Sequence, residues 1–479
     1  MKRVCSAFVF LLALSIRVEA GEELNPFSLL SESRRVFPEL EAYNGTAFKE
    51  EFFTQKLDHF DILDGRTWQQ RYFVTNGSYT SGGPIFLVLG GEWEANPVHI
   101  ELGFIGQLVE HFGAYTIYLD HRFYGQSKPF PDLLLENMVY LNMDQALEDT
   151  AYFAQKMKQD FGLDGKWILI GASFTGDMTA WARARYPHLF HAAYSSGAPV
   201  QAQVEVAEYY EVVGRAYLDT DPLCYTVLEE GMLALRQLVQ IGDAANITRL
   251  FNLVEDINVS VEDDVTLLYF VVTQIYGSLV QASTPGSLEN VCSRLVSGQD
   301  NPLEAFAQVY RETIFNIPLR INASRLVESY RNQTDYSADI TRQFMYQSCL
   351  EFGWFTAVSS QNQPFGPVVP IEFRLKFCTA VFGPEFTRER LEAGVERTNL
   401  LYGGKQPDVT RVVYTVGSLD PFNPVQMSEE PNVDAPVIII QGASHCIDIT
   451  SPASPDEPPP LAEARTRVVE LLTTWLAEE

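Results

Sequence analysis

Positive charge is scarce in this chain. It holds 34 Lys and Arg against 62 Asp and Glu, a formal net charge of −28. Phosphate binding needs a basic surface, so nucleic acid is excluded as a partner, and an anionic membrane would repel the protein. Long apolar runs are scarce too. Residues 4–16 form one near the N terminus, but a membrane span needs about 20 apolar residues. With Lys2-Arg3 before it and Val18-Glu19-Ala20 after it, this run reads as a signal peptide over residues 1–20, with Gly21 opening the mature chain. No second run of that length follows, so the mature chain is expected to have no membrane span. Cysteine is sparse, six in all, and Cys5 lies in the signal. The other five (Cys224, Cys292, Cys349, Cys378 and Cys446) show no CxxC spacing, so no zinc site is inferred, and neither a metal nor another cofactor is expected. Their odd number leaves at least one thiol outside any intramolecular bridge.

What is present is ample material for a core. Hydrophobic residues make up 46% and aromatics 12% of 479 residues, ample for a packed interior, and the length suggests one large domain plus an insert, or two domains. Six N-x-S/T sequons, at Asn44, Asn76, Asn246, Asn258, Asn322 and Asn332, fit a glycoprotein of the secretory route, secreted or lysosomal. Short apolar runs at 84–89, 115–119, 166–170 and 191–195 read as buried strands. Between the second and third, residues 143–161 carry apolar positions at helical spacing. Strands alternating with helices predict a parallel sheet covered on both faces. The pattern returns at 411–416 and 437–440, and after a Pro-rich stretch at 451–460 a closing helix is expected over 461–476. The intervening stretch is mostly helical and polar-faced at 205–253 and 301–344. The expected organisation is a sheet domain in two parts, 21–200 and 391–479, with a helical cap insert at 201–390.

The strand at 166–170 runs into Gly171-Ala172-Ser173-Phe174-Thr175-Gly176, and a helix-compatible stretch follows up to Pro187. A serine on a tight strand-to-helix turn is the nucleophile elbow of an α/β-hydrolase, which needs small neighbours where strand and helix approach. The usual elbow is G-x-S-x-G; here Thr175 takes the second glycine's place. In this fold the triad follows the order Ser, acid, His. Of seven histidines, four precede Ser173, and His188 and His191 follow too closely to leave room for an acid-bearing strand. That leaves His445, just after the strand at 437–440. Asp420, in the loop after 411–416, is better placed to hold the imidazole than Asp408 or Asp434, which precede strands. The expected oxyanion donors are the backbone N–H of Phe174 and the Gly90-Gly91 turn, at Gly91.

On these residues the chain resembles the serine peptidase family of lysosomal Pro-X carboxypeptidase, dipeptidyl peptidase II and thymus-specific serine protease. The resemblance spans nearly the whole mature chain. It rests on the block from Phe53 to Phe60 (FTQKLDHF), on Gly90-Gly91-Glu92, on His121-Arg122-Phe123-Tyr124-Gly125-Gln126-Ser127, on Tyr346-Gln347-Ser348-Cys349 with Glu351-Phe352-Gly353-Trp354, on Asp420-Pro421 and on His445. Ala180-Trp181-Ala182-Arg183 and Ser195-Ser196-Gly197-Ala198-Pro199 bring the texture near the thymus-specific branch. The resemblance implies a helical cap over a hydrolase sheet, and an exopeptidase acting on peptides with a proline near one end. It also implies Cys349–Cys378 and Cys224–Cys292 bridges, which would leave Cys446 as the free thiol. Glu92, Trp93, Asp177 and Phe422 become candidate substrate-binding residues. Two departures stand out: Asp177 replaces a usually neutral residue, and Phe422 replaces the tryptophan of the family's D-P-W. The expected function is therefore a serine exopeptidase, a carboxypeptidase or dipeptidyl peptidase, working through a Ser-Asp-His triad and an acyl-enzyme. A serine esterase with the same triad, or a fold-retaining binding protein with an impaired elbow, are the alternatives. The polar, sequon-rich insert argues against a lipase.

Overall fold

The structure is a computed structural model that describes residues 48–337, 339–452 and 454–478. The signal segment 1–20, Gly21 and the sequon at Asn44 lie outside the described residues. Among the described residues there are ten strands: β1 (Lys49–Lys56), β2 (Thr67–Thr75), β3 (Ile85–Leu89), β4 (Tyr115–Leu119), β5 (Trp167–Ala172), β6 (Ala192–Ser196), β7 (Gln203–Glu205), β8 (Gly353–Phe355), β9 (Val412–Gly417) and β10 (Val437–Ile440). Eight of them form one sheet in the order β1-β2-β4-β3-β5-β6-β9-β10, and β7 pairs with β8 apart from it. The β1–β2 and β2–β4 pairs are antiparallel and the rest of the large sheet is parallel.

The central strands are apolar because both of their faces are covered. In β3, Leu87 and Leu89 enter one core and Phe86 and Val88 the other; in β5, Trp167 and Leu169 part from Ile168 and Ile170 in the same way. Burying each such side chain contributes about 1.5–3 kcal/mol. The helices Met143–Phe161 and Phe174–Arg185 cover the first face, and Phe104–Phe112 and Pro459–Ala477 the second. This topology, with a serine turn closing β5 at the centre of the sheet, is that of an α/β-hydrolase.

Between β7 and β9 the regular structure is helical apart from β8. Asp221 and Asn301 cap the helices Pro222–Ile241 and Pro302–Thr313, each with proline in its first turn. Cys224–Cys292 ties Pro222–Ile241 to Ser287–Ser297, and Cys349–Cys378 ties the turn Ser348–Phe352 to Ile371–Phe382. The two pairings implied by the family resemblance are those the structure contains. The helix Glu262–Gln281 runs through this segment with 15 of its 20 residues buried. The expected boundary at 390/391 falls inside the helix Arg388–Tyr402. Among the described residues no helix is long and apolar enough to cross a membrane.

Candidate active site

Ser173 stands between β5 and the helix Phe174–Arg185 with φ 55° and ψ −128°. A non-glycine residue held at positive φ stores backbone strain that its surroundings must offset. The surroundings do so with hydrogen bonds: Ser173 N–H donates to Ser196 O at 2.8 Å, and Ser173 O accepts from the N–H groups of Gly176 (2.8 Å) and Asp177 (3.2 Å). Close approach explains the small residues. A Cβ on Gly171 would lie 2.3 Å from Thr175 O, and one on Gly176 would lie 2.9 Å from both Ala198 Cβ and Ser196 O.

Thr175, the departure from the usual elbow, has a local job. Its hydroxyl accepts from Ala172 N–H and donates to Ala172 O, both at 2.9 Å. The side chain thereby folds back on the strand end and satisfies backbone groups that the sharp turn would leave open. Its methyl needs space, and Gly91 supplies it: a Cβ there would lie 2.7 Å from Thr175 Cγ2 and 2.9 Å from the Trp93 ring.

His445 lies in the loop after β10. Its Nδ1 is 2.6 Å from Oδ2 of Asp420, which is fully buried. The same Oδ2 accepts from Gln426 Nε2 at 2.6 Å, and Oδ1 accepts from Phe422 N–H at 2.9 Å. Gln426 Nε2 also reaches Gly197 O at 3.0 Å. A carboxylate fixed from three sides holds its neighbouring imidazole with the proton on Nδ1, leaving Nε2 as the basic nitrogen. Ser173 and His445 line one cavity of about 100 Å³, together with Leu89, Trp93, Tyr118 and Ile449. A larger cavity of about 990 Å³ opens elsewhere, among Trp181, Arg185 and Tyr402, and none of the expected triad lines it.

Of the other expected site residues, Trp93 lines this cavity, and Gly91, Glu92, Phe174, Asp177 and Phe422 are not part of its lining. Phe174 is the first residue of the nucleophile helix, where backbone N–H groups have no intrahelical acceptor. Trp93 is held by a hydrogen bond from Nε1 to Tyr118 Oη at 2.9 Å. The Phe422 ring sits 6.0 Å from the His445 ring and 5.1 Å from Tyr209, centroid to centroid. Glu92 is half-buried. Asp177 is fully buried, and neither of its carboxyl oxygens has a hydrogen-bond partner among the described residues. Burial pushes its pKa well above the ordinary carboxyl value; Glu92 adds to the rise and His445 opposes it. Cys446 is free and buried, and burial pushes its thiol up. Of the sequons described, Asn76, Asn258 and Asn332 are exposed, while Asn246 and Asn322 are half-buried and their side chains each accept a hydrogen bond within a helix's first turn or cap.

Other histidines have structural work. His59 Nε2 is 2.8 Å from Asp149 Oδ1, and His121 Nδ1 is 2.7 Å from Arg122 O. Burial lowers both His99 and His121 to a pKa of about 4 and keeps them neutral. Three contributors had no signal in the sequence. Gln426 steadies Asp420. Ser444 Oγ donates to Val280 O (2.6 Å) and Gln281 O (2.8 Å), tying the His445 loop to the end of the helix Glu262–Gln281. Asp448 accepts from the hydroxyls of Tyr194 (2.5 Å), Ser196 (2.8 Å) and Thr415 (2.6 Å), clamping that loop to β6 and β9.

The profile of the family described as serine carboxypeptidase S28 matches residues 55–468. A Caenorhabditis elegans protein provisionally named a serine protease is 32% identical over 455 residues, covering 88% of this chain and 87% of that one. The mouse thymus-specific serine protease is 29% identical over 454 residues, covering 91% and 89%. The mouse lysosomal Pro-X carboxypeptidase is 23% identical over 453 residues, covering 89% of each.

Proposed function

This chain belongs to the serine carboxypeptidase S28 family, whose members are serine peptidases, and from that premise we propose that it cleaves peptide bonds near a chain end, next to proline, with Ser173, His445 and Asp420 as its triad. The observation that carries the reading is the 2.6 Å contact between His445 Nδ1 and a thrice-held Asp420, in the wall of the cavity that Ser173 also lines.

In the acylation step His445 Nε2 takes the proton of Ser173 Oγ as the oxygen attacks the scissile carbonyl. Asp420 stabilises the imidazolium that forms. The tetrahedral oxyanion receives the backbone N–H groups of Phe174 and Gly91, where each donor is worth about 10²–10³ in kcat. His445 then protonates the leaving amine, and a water deacylates Ser173 by the same route. Trp93 and Phe422 supply apolar walls for a substrate ring. The proline preference is carried over from the relative named for Pro-X cleavage, and Phe422 in the tryptophan position keeps the wall aromatic. The helical segment between β7 and β9, which meets the His445 loop through Ser444 and the end of Glu262–Gln281, is the expected cap and would restrict entry to chain ends. Synthesis through the secretory pathway, with glycosylation at the exposed sequons and release to the lysosome or outside the cell, completes the reading.

The test is covalent. A fluorophosphonate probe should label the purified protein, and Ser173→Ala should abolish labelling; an unlabelled wild type would sink the proposal. Proline-containing peptides blocked at one end or the other then give the direction of cleavage.

A further inference from the structure

We infer that the cavity lined by Ser173 and His445 is a subsite for an uncharged aliphatic side chain, carried by a residue next to the scissile bond. The inference rests on the hydrolase reading above and narrows its substrate class.

A gap interrupts an otherwise filled interior. Val88, Ile100, Ile105 and Ile449 line the cavity, and all four are buried members of the core beneath the helices Phe104–Phe112 and Pro459–Ala477. Protein interiors leave few voids larger than a water molecule, and an apolar void costs stability. This one measures about 100 Å³. Ser173 and His445 also line it and are both partly exposed, which puts its mouth at the reacting groups. The other core, across the sheet, contains Phe174 and packs against Phe422. The Phe422 ring and the cavity therefore belong to opposite cores. In an extended chain successive side chains point to opposite sides. A peptide lying across Ser173 can thus set one ring against Phe422 and the side chain of the adjoining residue in the cavity.

The lining fixes the chemistry. No Asp, Glu, Lys or Arg stands among its described residues, so an ion entering it would leave water without gaining a partner. The polar groups are engaged or neutral. Tyr118 Oη accepts from Trp93 Nε1 at 2.9 Å, and burial lowers His99 to a pKa of about 4. Volume fixes the size. An apolar cavity of about 150 Å³ holds benzene, or about 25 Å³ per carbon, so this one holds about four carbons. Leucine and norleucine have side chains of that size, and phenylalanine exceeds it.

Two substrate series identify the side of the bond. The tripeptides Ala-Pro-X, free at both ends, vary the leaving residue and suit either direction of cleavage. The p-nitrophenyl esters of N-acetyl-X vary the acyl residue. In one series kcat/KM should rise about fourfold with each added methylene, from alanine to norleucine. It should then fall at least about tenfold from norleucine to phenylalanine or to lysine. The series that responds names the side. Ile105→Ala and Ile449→Ala enlarge the cavity, and each should raise the phenylalanine-to-norleucine ratio at least about tenfold. Each ratio is taken within one preparation, so a partly folded variant does not mimic the effect. Calorimetric binding of N-acetylnorleucine amide and N-acetylalanine amide to the Ser173→Ala protein reads the same preference without turnover. Flat kcat/KM in both series with equal affinities overturns the subsite, and so does a wild-type preference for phenylalanine. Loss of fluorophosphonate labelling from the wild type, with the norleucine preference kept in binding, would overturn the hydrolase reading alone.

Discussion

Gly91→Ala is the most searching single substitution at this site, because it tests the oxyanion loop and the altered elbow together. The new Cβ would meet Thr175 Cγ2 at 2.7 Å and the Trp93 ring at 2.9 Å. Neither neighbour is free to yield. Thr175 is fixed by two 2.9 Å hydrogen bonds to Ala172, and Trp93 by its 2.9 Å bond to Tyr118. The loop carrying the Gly91 N–H must therefore shift, and a misplaced donor costs about 10²–10³ in kcat, or about 2.7–4 kcal/mol of transition-state stabilisation. Thr175→Ser removes the clashing methyl and keeps the hydroxyl. Alone it should change kcat/KM by less than about threefold; combined with Gly91→Ala it should recover about tenfold, a coupling of about 1.4 kcal/mol within the range for side chains in contact. Initial rates on a chromogenic ester, with thermal melts to confirm folding, complete the cycle. A Gly91→Ala enzyme within threefold of wild type, or a double variant no better than the single one, would refute the reasoning.

Three further outcomes follow from the same structure. Gly171→Ala should lower stability by more than about 3 kcal/mol and abolish probe labelling, because its Cβ would lie 2.3 Å from the backbone oxygen of Thr175, which has nowhere to go; wild-type labelling by this variant would contradict the close-approach account. Burial raises Glu351 from 4.5 to about 7, against the opposing hydrogen bond from Met143 N–H. The folded chain thus holds this proton at pH values where the unfolded chain has released it, and stability falls as pH rises from 4.5 to about 7. Glu351→Gln removes that step, so wild type should lose about 3 kcal/mol relative to the variant across this window in denaturant titrations. Finally, Cys224→Ser with Cys292→Ser opens a link between positions 68 residues apart and should cost about 4 kcal/mol by chain entropy, read as a lowered denaturant midpoint.

The central sheet was legible in the sequence because parallel strands buried on both faces are continuous apolar runs. β4 and β10 have the expected limits, and β3, β5, β6 and β9 lie within two residues of theirs. The strands β1 and β2 gave no such signal. They pair antiparallel at the sheet edge, and β1 (KEEFFTQK) has only one buried residue. The helix Glu262–Gln281 escaped for the opposite reason: it is buried nearly all round, so it has no polar face to set a period. The blocks that carry the family resemblance have a physical reading as well. Arg122 makes paired hydrogen bonds to buried Asp149 at 2.6 and 2.7 Å, and Tyr124 Oη donates to Gln347 at 2.8 Å, joining two blocks 223 residues apart.

At the candidate site, residues of distinctive chemistry can be singled out from the sequence, whereas those whose value lies in what they touch cannot. A lone histidine after the last strand can be found by elimination. A glutamine that holds Asp420, or a serine that ties the His445 loop to a helix end 163 residues away, looks like any other. Ser444 Oγ and His445 N–H both donate to the last carbonyls of Glu262–Gln281, so the end of this helix anchors the loop that carries the imidazole. A substitution that shifts this helix end should therefore lower kcat while sparing the Ser173 turn, whose hydrogen bonds lie wholly within β5, β6 and the nucleophile helix. Ser444→Ala is the mildest such change. It removes the two side-chain bonds and leaves the His445 N–H to Gln281 bond (3.3 Å) in place. The expected loss is about 1–2 kcal/mol of transition-state stabilisation, five- to thirtyfold in kcat with KM little changed; a loss confined to KM would place the helix end in substrate binding instead.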